Sequence, residues 1–241
     1  MIQSDTFISH LLELRTRLIR ALLGMLLVFA CLFPFANQLY TFLAQPLLAK
    51  LPAGAHIIAT AVTTPFFVPM KVAMLAALLI SLPHTLYQFW GFIAPGLYPQ
   101  ERRFILPMVV ASTLLFVVGM CFAYFLVFPV IFGFIVSTAP QGVQVMTDIG
   151  NYLDFVMSLL MAFGMAFEVP ILVVALVKFG WVTLEQLKEF RAYAIVGAFV
   201  IGAIFTPPDV VSQILLALPL WLLYEAGMLV ARFVQPKVES G

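Results

Sequence analysis

Apolar residues run along this chain in long unbroken blocks. Val72 to Gln100, 29 residues, and Phe104 to Thr147, 44 residues, contain no charged side chain. A helix needs about 20 apolar residues to cross the hydrocarbon core of a bilayer. Blocks bounded by charges and turn residues predict spans near 18–37, 67–93, 104–134, 152–177, 191–206 and 210–231. Ahead of the first, Phe7, Leu11, Leu14 and Leu18 share one helical face and His10, Glu13, Arg17 and Arg20 another. That spacing predicts an amphipathic helix over about 5–17, its apolar face on lipid or the first span and its polar face open to the cytoplasm. The blocks lack the ten-residue alternation of outer-membrane strands, and lipid forces backbone polar groups to pair within the chain. The prediction is an all-α integral membrane protein of six transmembrane helices in a single domain over 1–241.

Prolines modify that picture. Pro83, Pro107, Pro129, Pro170 and Pro219 fall inside predicted spans, and each removes a backbone hydrogen bond and bends its helix. Kinked helices predict a concave, cup-like arrangement. The last two spans look short: 17 uncharged residues separate Arg191 from Asp209 and 15 separate Asp209 from Glu225, about 25 and 22 Å of helix against a core of about 30 Å. Thinning of the bilayer, ends seated in protein, or snorkelling side chains would each accommodate them.

Composition agrees, with 63% hydrophobic and 10% charged residues. Net charge is +1, which gives no bulk attraction to nucleic acid. Placement says more: Arg15, Arg17, Arg20, Arg102, Arg103, Lys178, Lys188, Arg191, Arg232 and Lys237 fall on one side of the six-span topology, leaving only Lys50 and Lys71 on the other. The positive-inside rule makes that face cytoplasmic, with both termini inside. Cys31 and Cys121 lie within spans and read as small core hydrophobes. No phosphate-binding loop, H-E-x-x-H, G-x-S-x-G or Cys/His ligand cluster occurs, so the expectation is a protein that is no enzyme and holds no metal or cofactor.

The acids are the candidate chemistry. Glu13 precedes Arg17 by four residues, the spacing of a helix-supporting pair. Glu101 stands beside Arg102 and Arg103 in the first inner loop, and with Glu13 it could accept two guanidinium groups. Glu168, deep in a span before Pro170, reads either as a functional intramembrane carboxyl or as a neutral one bonded to backbone freed by the proline. With Glu168 as titrating site, a proton-coupled small-solute transporter is the alternative function. Asp209 suits a helix start. Ala194, Ala198 and Gly202 form a small-residue stripe for a helix of this chain or another.

The motifs His10-Leu11-Leu12-Glu13-Leu14-Arg15, Phe92-Ile93-Ala94-Pro95-Gly96-Leu97 with Glu101-Arg102-Arg103, Phe163-Gly164 through Phe167-Glu168-Val169-Pro170, and Thr206-Pro207-Pro208-Asp209 resemble those of the TatC family. The resemblance runs nearly end to end. It implies a receptor of the bacterial inner membrane that binds twin-arginine signal peptides of folded precursors and nucleates a complex with TatB and TatA, driven by proton-motive force, with self-association inside that complex. It implies that Glu13 and Glu101 contact the signal's arginines with Arg15, Phe92 and Arg103 nearby, that the fifth span packs on TatB, that Glu168 is the buried polar position, and that Asp209 lies in an outer loop. Thr16 departs from the pattern, since many relatives are basic there.

Overall fold

The computed structural model describes residues 2–48, 58–93, 105–137, 148–205 and 210–234. They form α1 (Ile2–Leu32), α2 (Ala36–Leu48), α3 (Thr64–Ile93), α4 (Ile105–Phe122), α5 (Phe128–Ser137), α6 (Ile149–Phe167), α7 (Val169–Lys178), α8 (Leu184–Glu189), α9 (Arg191–Phe205) and α10 (Val210–Val234). No strand occurs among the described residues; one isolated bridge joins Ile58 to Asp148. Among the described residues five stretches are long and apolar enough to cross a membrane, His10–Gln45, Thr64–Ile93, Ile105–Gly133, Ile149–Lys178 and Leu216–Val234, and the apolar Arg191–Ile204 is shorter. Many large apolar side chains lie exposed, among them Leu22, Leu23, Leu26 and Leu27, as expected when lipid is the solvent. Cys31 and Cys121 are also exposed, so the expectation that they fill a core is corrected.

The chain forms two compact units, Met1–Thr113 with Gln144–Met157, and Leu114–Val143 with Ser158–Gly241. In the first, α1 is one continuous helix of 31 residues. It gives way to a 3-10 turn at Phe33–Phe35, where Pro34 cannot donate to the preceding turn. Val68, Val72 and Leu153 form a buried cluster flanked by Leu39, Tyr40, Leu43, Ile149 and Met157, which ties α2 and α3 to the start of α6. Lys71 Nζ meets Asp154 Oδ1 at 2.6 Å. The basic residue that departed from the charge asymmetry is thus neutralised by an acid 83 positions away.

Asp148 fastens the approach to α6. Its Oδ1 accepts the Asn151 N–H at 2.9 Å, the bond of a helix N-cap, while Oδ2 accepts from the Thr60 backbone at 3.0 Å and the Thr60 hydroxyl at 2.7 Å. The Ile149 N–H adds a bond to the Ile58 carbonyl at 2.9 Å. These donors favour the ionised carboxylate and hold it below the usual range, the Asn151 backbone first and Thr60 next.

In the second unit, α4 and α6 approach closely at two glycines. A Cβ on Gly119 would lie 2.6 Å from the Phe163 carbonyl oxygen, and one on Gly164 would lie 2.6 Å from the Phe116 ring. Two of the prolines act just upstream of themselves, because a proline ring collides with the carbonyl four residues before it. Ahead of Pro129 the helix widens to a π turn over Ala123–Val127, and ahead of Pro170 it breaks at Glu168, between α6 and α7. Pro83 and Pro219 stay inside α3 and α10. α7 ends where Gly180 takes φ +70°; the Gly180 N–H bonds the Val177 carbonyl and the Trp181 N–H that of Leu176, a Schellman closure. Thr183 and Gln186 then start α8 with a capping box. Val173, Val177, Leu184, Leu187, Met228 and Ala231 bury together, packing α7, α8 and α10.

The last span differs from its expectation. α10 is 25 residues, about 37 Å, because it continues past Glu225. The Oε2 of that acid accepts from Arg191 at 2.8 Å. The fifth helix is short, as its sequence predicted, at 15 residues.

Candidate functional site

The first turns of α1 that carry polar residues meet the last turns of α3. Glu13 Oε1 accepts two bonds from Arg17, Nε at 2.9 Å and a terminal nitrogen at 2.7 Å. The i to i+4 spacing brings the pair together within one helix, and both side chains are largely covered, 23% exposed for Arg17 and 32% for Glu13. The cover comes from α3. Gly91 presents bare backbone to the Arg17 guanidinium, and a Cβ there would collide with its NH1 group. One turn away His10 stacks on Phe92 with centroids 4.4 Å apart and planes inclined 23°. Further along, His84 Nε2 lies 3.2 Å from the Arg20 carbonyl oxygen, and Gly24 makes room for that ring.

On the face that carries His10, Glu13, Arg17 and Arg20, Glu13 and Arg17 are partly covered against α3, His10 stacks on Phe92 while staying exposed, and Arg20 is exposed, as are Leu11, Leu14 and Leu18 on the other face. Glu13 and Arg17 lie against protein because their partners are there, and leucines face outward because lipid accepts them. Thr16, the position without a basic side chain, bonds its hydroxyl back to the Leu12 carbonyl at 2.8 Å.

The structure brings Glu13 and Phe92 to one place and leaves Arg15 exposed on α1. Glu101, Arg103 and Asp209 lie outside the described residues. Glu168 sits in the turn between α6 and α7, partly buried; its N–H bonds the Met165 carbonyl at 3.1 Å and its carbonyl accepts from Leu172 at 3.0 Å. In the small-residue stripe Ala198 is 5% exposed. A Cβ on Gly202 would lie 3.1 Å from the Gln213 carbonyl oxygen, and Gln213 donates to the Phe199 carbonyl at 3.1 Å. The stripe's partner at Gly202 is therefore α10 of the same chain. Tyr193, Val196, Val200 and Ile204 on α9 are exposed.

Sequence reasoning named the Glu13–Arg17 pair but missed Gly91, for which no local signal exists, and left His10 isolated. Among the described residues no group of three His, Cys, Asp or Glu could hold a metal ion.

Comparison with known proteins bears on this arrangement. The family model described as Sec-independent protein translocase protein (TatC) matches residues 9–219. The chain belongs to the TatC family. The TatC of Haemophilus influenzae is 52% identical over 235 residues, covering 98% of this chain and 92% of the relative; that of Escherichia coli K12 is 51% identical, covering 95% and 89%. A solved structure described as the twin arginine translocase receptor TatC superposes with a TM-score of 0.80 at 40% identity, covering 93% of this chain and 99% of that one. A second, in DDM, gives 0.82 at 41% identity, covering 92% and 99%. Membership makes this TatC-family chain a multi-pass membrane protein of protein transport, and it removes the small-solute transporter that Glu168 alone left open.

Proposed function

We propose that this TatC-family protein is the signal-peptide receptor of a twin-arginine translocase in the bacterial inner membrane. The end where α1 meets α3 faces the cytoplasm, as do both termini, in keeping with ten of twelve basic residues on that side. Glu13 and Glu101 accept the paired arginines of the signal, with Arg15, Phe92 and Arg103 beside them, and the apolar part of the signal enters the membrane. The observation that carries this reading is Glu13 itself. It is a carboxylate two-thirds covered by protein that already engages a guanidinium through Oε1, and Arg–carboxylate pairing is the planar recognition such a ligand needs.

In this reading TatB and TatA join the complex, copies of the chain associate within it, and proton-motive force drives transport of the folded precursor. Because Ala198 is buried and Gly202 turns to α10, the single helix of TatB would sit on the exposed face of α9, at Tyr193, Val196, Val200 and Ile204. Glu168 is the polar position within the membrane and Asp209 belongs to the outer face. Photo-crosslinking of a twin-arginine precursor to membranes carrying Glu101→Lys or Glu13→Gln tests the reading. Capture is expected to fall by tenfold or more, and undiminished crosslinking in both variants would refute it.

A further inference from the structure

Arg17 is where the proposed ligand would be. Its guanidinium lies on the bare backbone of Gly91 of α3 and directs Nε and a terminal nitrogen to Glu13 Oε1. Both bonds converge on that oxygen, so they differ from the parallel fork in which a guanidinium takes both oxygens of a carboxylate. An arriving arginine that forms the full fork must take Oε1 from Arg17.

Resting on the receptor reading above, we infer that Arg17 is an internal stand-in for a signal arginine. It keeps the half-buried Glu13 carboxylate paired while the receptor is empty and must be displaced when a twin-arginine segment docks. Three features of the site fit this role. A carboxylate 32% exposed at a lipid-facing helix needs a partner in the empty state, since an uncompensated covered charge is unfavourable. The partner comes from one turn along the same helix, so its release breaks no contact between distant parts of the fold. Its length lets it swing away, because an arginine can carry its charge toward water or headgroups while its stem stays on the helix. Arg17 is therefore a positioning residue that lowers the receptor's affinity and sets how strongly a ligand must pair with Glu13.

The test is equilibrium binding of a fluorescent twin-arginine peptide to the full chain in lipid nanodiscs, comparing wild type with Arg17→Gln and Arg17→Lys. An exposed-to-half-buried i to i+4 pair corresponds to a small factor, so the glutamine variant is expected to bind about two- to fivefold more tightly. The lysine variant keeps the charge but lacks the planar fork that fits over Gly91, and it should fall between the two. Binding by Arg17→Gln that is equal to or weaker than wild type overturns the stand-in. So does a lysine variant indistinguishable from wild type, which would reduce the effect to general repulsion. If Arg17→Gln does not fold, the lysine variant alone decides. Failure of the receptor reading looks different: wild type would not bind the peptide, or Glu13→Gln would leave binding unchanged.

Discussion

Removing the charge at Glu225 probes the most consequential ion pair of the second unit. Arg191 opens α9 and Glu225 stands on α10 with 34 residues between them, joined at 2.8 Å. Two unit charges about 4 Å apart attract by about 4 kcal/mol at an effective dielectric of 20. The arginine is 42% and the glutamate 23% exposed, so screening lowers this, and a coupling of about 1–2 kcal/mol is expected. The two single substitutions should be unequal. Glu225 lies nine residues before the end of α10, about 14 Å along the axis, and Arg191→Gln strands its charge there. Glu225→Gln instead leaves an arginine at a helix start, from which it can reach water. A double-mutant cycle of Arg191→Gln and Glu225→Gln, read by SDS unfolding in mixed micelles, measures the coupling. Additive effects within about 0.5 kcal/mol would refute the reasoning and reduce the pair to a surface contact.

Two further outcomes follow from the geometry. Asp148 has its carboxyl group held below the usual range by the Asn151 and Thr60 donors, so its tether is fully present above that range and is lost as pH falls through the depressed value. Hydrogen-exchange protection factors at Thr60 and Asn151 should drop at that lower pH, and Asp148→Asn should abolish the dependence; equal pH profiles in both proteins would exclude the carboxylate as its source. Gly119→Ala places a Cβ 2.6 Å from the Phe163 carbonyl and 2.8 Å from the Phe167 ring, and should destabilise by about 1–3 kcal/mol in the same unfolding assay, more than any gain in helix propensity offsets.

The sequence by itself determined the solvent, the helical class and the family. Each follows from properties that add up along the chain: charge-free runs long enough to span a bilayer, basic residues collected on one side, and ordered local motifs. Local spacing also placed Arg17 against Glu13, since four residues on a helix set that distance without help from the fold. Pairings across the chain lay beyond it. Nothing near Lys71 points to Asp154, nothing near Glu225 points to Arg191, and Thr60 and Asp148 are separated by 88 positions. Each acid or base looks alone in the sequence.

Tertiary structure also decided direction. In water the leucine face of the first helix would turn inward, but in lipid apolar contact is available everywhere and drives no particular orientation. Polar groups and bare backbone then choose the contact face, so His10, Arg17 and Gly24 turn to Phe92, Gly91 and His84, and Gly202 of α9 meets Gln213 of α10. Which face is wet is a question of partners, and partners are settled only when the helices meet.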